Sequence, residues 1–154
     1  MDFKPNYINA KKILDNFINK GLRSYSLKRN YDFGRDNKSN VSCLSPFIRR
    51  RIIHEKTVLK NCLKNNKFTN IEKYIQEIFW RTYWKGWLEG RKEVWEDYNK
   101  KLEFLKHDVN FKTFRGCYSK AISGNSGIYC FDSWVEELVT TGYLHNHSRM
   151  WFAS

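Results

Sequence analysis

Between Asn70 and Glu89 the chain carries two dissimilar stripes on one helical period, and that pattern is the firmest constraint on its fold. Ile71, Ile75, Ile78 and Thr82 recur on one side. Glu77, Trp80, Arg81, Trp84 and Leu88 recur on roughly the other, spaced by three or four as an α-helix requires. The first stripe asks for a core. The second fits a lined cavity or a partner surface, or else a helix buried all round with Glu77 and Arg81 paired on its wetter edge.

Helical spacing also governs most of the remaining chain. Ala10, Ile13, Leu14, Phe17 and Ile18 repeat at i, i+3, i+4, i+7 and i+8, and Gly21 supplies a stop. From Leu22 to Val41 the pattern dissolves into Arg, Asn, Asp, Ser and Gly, which reads as an irregular loop. Ser45-Pro46 reads as an N-cap followed by proline at the first helical position. It opens a short helix through Ile52; another runs from about Val58 to Leu63 and breaks at Lys64-Asn65-Asn66-Lys67. A polar helix spans Val94 to Lys106, followed by a less regular segment to Ser123. Gly124-Asn125-Ser126-Gly127 is a turn. Phe131-Asp132 begins a helix carrying Val135, Leu138 and Val139, and Gly142 ends it. Little alternates with period two, so the expected fold class is all-α.

With 154 residues the chain has room for one domain with a real core. Aromatic residues reach 17%; such rings fill cores and also stack on flat π-systems such as nucleobases. The formal charge of +12 favours a polyanionic partner, with nucleic acid the first candidate, against a basic protein that merely stays soluble. Cys43, Cys62, Cys117 and Cys130 show no Cys-x-x-Cys spacing, the N-terminus lacks an apolar signal core, and no stretch is long enough to span a bilayer. The expectation is an intracellular, cytoplasmic chain with reduced thiols and no membrane partner. His145 and His147 have no third ligand at a recognisable spacing, so ordinary polar roles are expected and no metal. The apolar run Met150-Trp151-Phe152-Ala153-Ser154 invites more protein to pack against, and truncation is the simplest reading.

Three collinear blocks resemble the flavin-binding domain of the photolyase and cryptochrome family. The first is Tyr31-Asp32-Phe33-Gly34-Arg35-Asp36 followed by Ser42-Cys43-Leu44-Ser45-Pro46-Phe47. It is similar to the family's Tyr-x-x-x-Arg-Asp element and Thr-Ser-x-Leu-Ser-Pro-Tyr loop. The second, Glu77-Ile78-Phe79-Trp80-Arg81-Thr82-Tyr83, resembles Glu-Leu-x-Trp-Arg-Glu-Phe/Tyr. The third joins Gly124-Asn125-Ser126-Gly127, Asp132 and Gly142-Tyr143-Leu144-His145-Asn146-His147-Ser148-Arg149-Met150. It is similar to Gly-x-Thr-Gly, Asp-Ala and Gly-Trp-Met-His-Asn-Arg-x-Arg-Met. The resemblance implies that residues 1–154 are part of a helical FAD-binding domain. Val41, Ser42, Cys43, Leu44, Ser45 and Tyr31 would then hold the diphosphate arm of FAD. A Ser-x-x-Ser-Pro turn opening a helix is itself a reasonable anion site. Tyr74, Arg81, Asn146 and Arg149 match positions that line the flavin.

On the same resemblance, Glu77 and Trp80 are the catalytic pair that receives a flipped pyrimidine dimer. Trp84, His147 and Met150 complete the lesion and DNA surface, and Arg49, Arg50 and Arg51 would reach phosphates or simply form a solvated face. The implied activity is that of a deoxyribodipyrimidine photo-lyase. A cryptochrome-type photoreceptor without repair, or an inactive basic DNA-binding remnant, are the alternatives. Departures from the pattern are Val41 for Thr, Thr82 for Glu, Tyr143 for Trp, His147 for Arg, and Ala121 where Trp is common. The outermost Trp of the family's electron-transfer chain falls near Phe111. The resemblance begins near Phe3 and ends within the flavin domain, so the expectation is a fragment without the antenna domain or the later part of the flavin domain, inactive alone unless the missing C-terminal half of that domain completes it.

Overall fold

A computed structural model describes residues 3–153, without the side chains of residues 109–112, and every regular element among the described residues is helical. The all-α expectation holds. The chain divides into two compact units, Met1–Phe79 with Thr141–Ser154 and Trp80–Thr140.

In the first unit, α1 (Tyr7–Lys20) starts at Asn6, whose side chain accepts the Asn9 N–H and caps the helix. Its apolar stripe, Ala10, Ile13, Leu14 and Phe17, is buried as its periodicity predicts. Around it pack Leu44, Phe47 and Ile48 from α3 (Ser45–Arg49) and its cap, Val58 and Cys62 from α4 (Glu55–Lys64), and Ile71, Tyr74, Ile75 and Ile78 from α5 (Phe68–Glu89). Each large apolar side chain withdrawn from water here contributes about 1.5–3 kcal/mol before entropy is counted.

Two segments differ from the sequence reading within this unit. Leu22–Ser24 forms a 3-10 turn and α2 (Tyr25–Lys28) follows, where an irregular loop is expected from Leu22 onward. Burial of Leu22 and the packing of Tyr25 against Phe17 and Tyr74 fix these turns, and neither signal is visible as a period. At α3 the cap is Leu44, without a side-chain cap bond, so Ser45 is the first helical residue rather than the N-cap, and the helix ends before Ile52.

The second unit holds the C-terminal part of α5, then α6 (Lys92–His107), α7 (Val109–Ile122) and α8 (Tyr129–Thr141). α7 occupies the segment expected to be less regular. Its Phe114, Tyr118 and Ile122 stand one turn apart yet are exposed, and Gly116 weakens the pattern further. The turn at 124–127 is a side-chain cage: Asp132 accepts from the Ser126 N–H and hydroxyl and from the Gly127 N–H. Phe111 lies outside the described side chains. In the first unit again, α9 (Asn146–Phe152) follows Gly142, whose φ of +66° suits glycine. No helix among the described residues is long and apolar enough to cross a membrane.

Gly21 does end α1, but in a right-handed conformation at φ −113°. What demands glycine is space: an added Cβ would lie 2.2 Å from the Ser39 carbonyl oxygen and 2.9 Å from the Phe17 ring. Gly21→Ala is therefore expected to cost about 1–3 kcal/mol through overpacking. A urea titration checks this; an unchanged midpoint would show that the 39-region backbone yields freely.

Candidate functional site

The loop between α2 and α3 is organised by one carboxylate. Asp32 Oδ1 accepts from the Gly34 N–H at 3.0 Å and from Lys38 Nζ at 3.0 Å, while Oδ2 accepts the Ser148 hydroxyl at 2.5 Å. Gly34, at φ +86°, lets the chain close this turn. Asn40, also buried, donates to the Lys28 and Tyr31 carbonyls at 2.7 Å each. The loop thus has its own internal scaffold, and Ser148 ties it to α9.

A second tie runs through His145. Its Nε2–H donates to the Arg29 carbonyl at 3.0 Å, and its Nδ1 accepts the His147 N–H at 3.3 Å, capping α9. This pairing specifies the neutral tautomer. Burial pushes the imidazole below its usual value, with the nearby Asp32 charge and the Arg29 carbonyl partly offsetting it. For Asp32 burial alone would raise the carboxyl, but bonds from Ser148, Lys38 and Gly34 outweigh it and leave it below its ordinary value.

α5 joins the same loop. Arg29 Nη1 meets Glu77 Oε1 at 2.8 Å, with Lys73 Nζ at 3.8 Å from the same oxygen. Tyr74 is buried against Phe17 and Tyr25, and its hydroxyl shares a hydrogen bond with the Ser42 side chain. Burial raises both phenols, Tyr25 to about 12, with the Glu77 charge adding to Tyr25's shift and Arg29 opposing it. Residues from all three motif blocks are thereby linked within the first unit: Asp32 and Ser42 in the loop, Glu77 on α5, His145 and Ser148 at α9.

The individual candidates sit as follows. Val41, Ser42 and Ser45 are half-buried, and the Ser42 hydroxyl faces the Leu44 N–H at 3.5 Å. Cys43 is buried with φ +52°, a left-handed conformation uncommon for a residue with a Cβ, and Leu44 next to it is right-handed. Because α3 has only five residues, the Ser-rich turn offers hydroxyls and backbone N–H groups rather than the dipole of a long helix. Tyr31 is 61% exposed and stacks on Phe33. Tyr74 supports Ser42 from within the core. Asn146, Arg149 and Met150 are exposed, with Arg149 donating to the Leu144 carbonyl at 3.2 Å. Tyr143, in place of the family's Trp, is buried and stacks on Phe3.

Trp80, Arg81 and Trp84 belong to the second unit, apart from Glu77. Trp80 and Trp84 are 47% and 50% exposed and stack at 6.3 Å, with Tyr83 edge-on to both. That exposure overturns the possibility of an α5 buried all round. Thr82 is exposed, so the apolar stripe ends at Ile78.

Two buried polar atoms of this assembly have no partner among the described residues, Asn40 Oδ1 and His147 Nδ1. Asn40 Oδ1 can only accept a hydrogen bond, so it calls for a donor, whereas the loop hydroxyls and the exposed Arg149 can donate to a polar or anionic group. No group of three or more His, Cys, Asp or Glu able to hold a metal occurs among the described residues. The Asp32–Ser148 and His145–Arg29 ties escaped the sequence reading, although Asp-x-Gly at 32–34 is a recognisable turn signal.

Comparison with known proteins gives a single direction. The chain is 28% identical over 97 residues to the mitochondrial deoxyribodipyrimidine photo-lyase of Saccharomyces cerevisiae. The match covers 63% of this chain and 16% of that protein. No family model matches, and no solved structure matches. The likeness supports a relationship to the photolyase family.

The two ties make the attachment of α9 acid-sensitive. His145's folded pKa lies below its ordinary 6.5, so its contribution is complete above about 6.5 and is lost as pH falls through the lower folded value. Asp32's contribution is present above its ordinary 3.8 and is lost only as pH falls through its still lower folded value. Amide exchange in α9 should therefore quicken in two stages on acidification, and His145→Gln should abolish the first. Ser148→Ala, which removes a bond to a carboxylate, should cost about 1.5–3 kcal/mol at neutral pH. Exchange in α9 insensitive to both changes would show that these bonds do not anchor it.

Proposed function

We propose that the chain is part of a light-driven, FAD-dependent DNA-repair flavoprotein acting on pyrimidine dimers. The observation that carries this reading is the linkage of the Arg29–Asp32 segment, which leads into the Ser-rich loop, to α5 at Glu77 and to the start of α9 at His145 and Ser148. The family resemblance asks for these three elements at one cofactor site, and the relative's name supplies the reaction.

In this reading Ser42, Ser45, the Val41–Leu44 backbone and Tyr31 bind the diphosphate of FAD. Tyr74 holds Ser42 in place. Asn146 and Arg149 border the isoalloxazine, where a cation favours the anionic reduced ring. When bound, reduced FAD supplies the light-excited electron. Glu77 hydrogen-bonds the flipped dimer and His147 and Met150 contact the surrounding DNA, while further along α5 Trp80 and Trp84 offer exposed aromatic faces for stacking. The four cysteines are free thiols, in keeping with action inside the cell.

One contact favours a second reading, a flavin photoreceptor without repair. Glu77 is already engaged by Arg29 at 2.8 Å, so a lesion would have to displace that guanidinium before it could bind the carboxylate.

Reconstitution with FAD followed by visible absorption tests the shared premise, and absence of bound flavin would sink both readings. Blue-light repair of a dimer-containing oligonucleotide then separates them. Glu77→Ala is expected to lower repair about tenfold to a hundredfold, the worth of one bond to a charged group, without releasing flavin. Loss of flavin on that substitution would count against the assigned role.

A further inference from the structure

α4 places Lys56, Lys60 and Lys64 four residues apart, so their ammonium groups form a row at about 6 Å of rise per step. All three are exposed, and none pairs with a carboxylate among the described residues. The neighbouring acids are engaged elsewhere: Glu55 binds Arg51 and Asp15 binds Lys11. Like charges at this spacing weaken a helix, so nothing in the packing of α4 explains the row.

The row borders a groove of about 870 Å³ whose other wall is Tyr7 and Lys11 of α1. Lys11 Nζ reaches Asn61 Oδ1 at 3.0 Å, fixing the two helices across its floor. The groove shares no residue with the candidate site. Val58 and Cys62 of α4 are fully buried, and the large apolar side chain that α4 leaves exposed is Leu63 beside the row, too little surface by itself to enter a bilayer. Evenly spaced, unpaired point charges flanked by an exposed Tyr7 ring and the Thr57 hydroxyl suit a regular ladder of phosphates.

We infer that the α1–α4 groove is a separate docking surface for the phosphate backbone of duplex DNA, bound without regard to sequence. It requires neither flavin nor lesion, so undamaged duplex in the dark tests it independently of the repair reading.

The experiment measures affinity of the full chain for an undamaged duplex across a salt series. The comparison sets Lys56→Gln/Lys60→Gln/Lys64→Gln against a charge-matched Lys92→Gln/Lys100→Gln/Lys101→Gln control on α6. Three lost phosphate contacts should flatten the slope of log affinity against log salt by up to about 2.7, at about 0.9 per contact. The control should flatten it by less than about one such contact. Equal losses in both variants would reduce the effect to net charge and overturn the groove. So would an unchanged slope in the α4 variant, or loss of binding only to phosphatidylserine vesicles. Should the variant misfold, acetylation footprinting of the unaltered protein decides the same question: duplex must protect Lys56, Lys60 and Lys64, and unprotected lysines reject the proposal.

Discussion

The Asp32 carboxylate is the contact on which the first unit's loop-to-helix arrangement depends. A carboxylate half withdrawn from water is costly unless its lone pairs are met, and here Gly34, Lys38 and Ser148 meet them from three places in the sequence. Ser148 is 116 residues away along the chain. Without α9 one Asp32 oxygen would lose its Ser148 partner, and α9 has little else of its own: among its described residues only Ser148 is buried. A seven-residue helix of this kind is not stable by itself. Polar anchoring therefore substitutes for the apolar face that α1 and the first half of α5 possess.

α5 shows the opposite economy in its two parts. Through Ile78 its buried positions follow the spacing of a core helix, and Tyr74 is completed by a hydroxyl partner. In the second unit its rings are met mainly by one another. Trp84 and Trp87 pack edge to face, and the Arg91 guanidinium lies 4.3 Å over the Trp87 ring. Such exposed stacking and cation–π contacts order side chains without removing them from water. This half of the helix keeps an aromatic surface available, whereas the first half spends its apolar surface on the core.

What the sequence made legible follows from the range of the interactions involved. The helices with strong periods, at Ala10–Ile18, Val58–Leu63 and Ile71–Ile78, are where local spacing and burial agree. The Gly124–Gly127 turn was also readable, because its partner Asp132 is close by in sequence. α2 and α7 were not, since the first rests on Tyr25 meeting Phe17 and Tyr74, and the second has exposed rings interrupted by Gly116. Ser-Pro is a common cap signal, yet here the chain enters the helix at Leu44 after a left-handed Cys43, so Ser45 is the first helical residue and not the cap. At the candidate site, motif likeness selected Tyr31, Ser42, Glu77 and Arg149 but not the bonds that connect their neighbourhoods. Those bonds span dozens of residues, and no local pattern encodes them.

Arg29 gives these connections a common element. Its carbonyl receives His145 from the start of α9, and its guanidinium grips Glu77 on α5. One residue at the end of α2 thus answers to both helices, one through its backbone and the other through its side chain. The backbone tie is fixed by the course of the loop, but the ion pair is partly exposed, with a quarter to a third of each side chain accessible. Pairs in such positions are worth little individually. Glu77 can therefore exchange Arg29 for another donor at small cost while the His145 tie, buried and capped, stays in place. The frame at His145 is thus firmly held, whereas the carboxylate of Glu77 has a partner that water and other donors can replace.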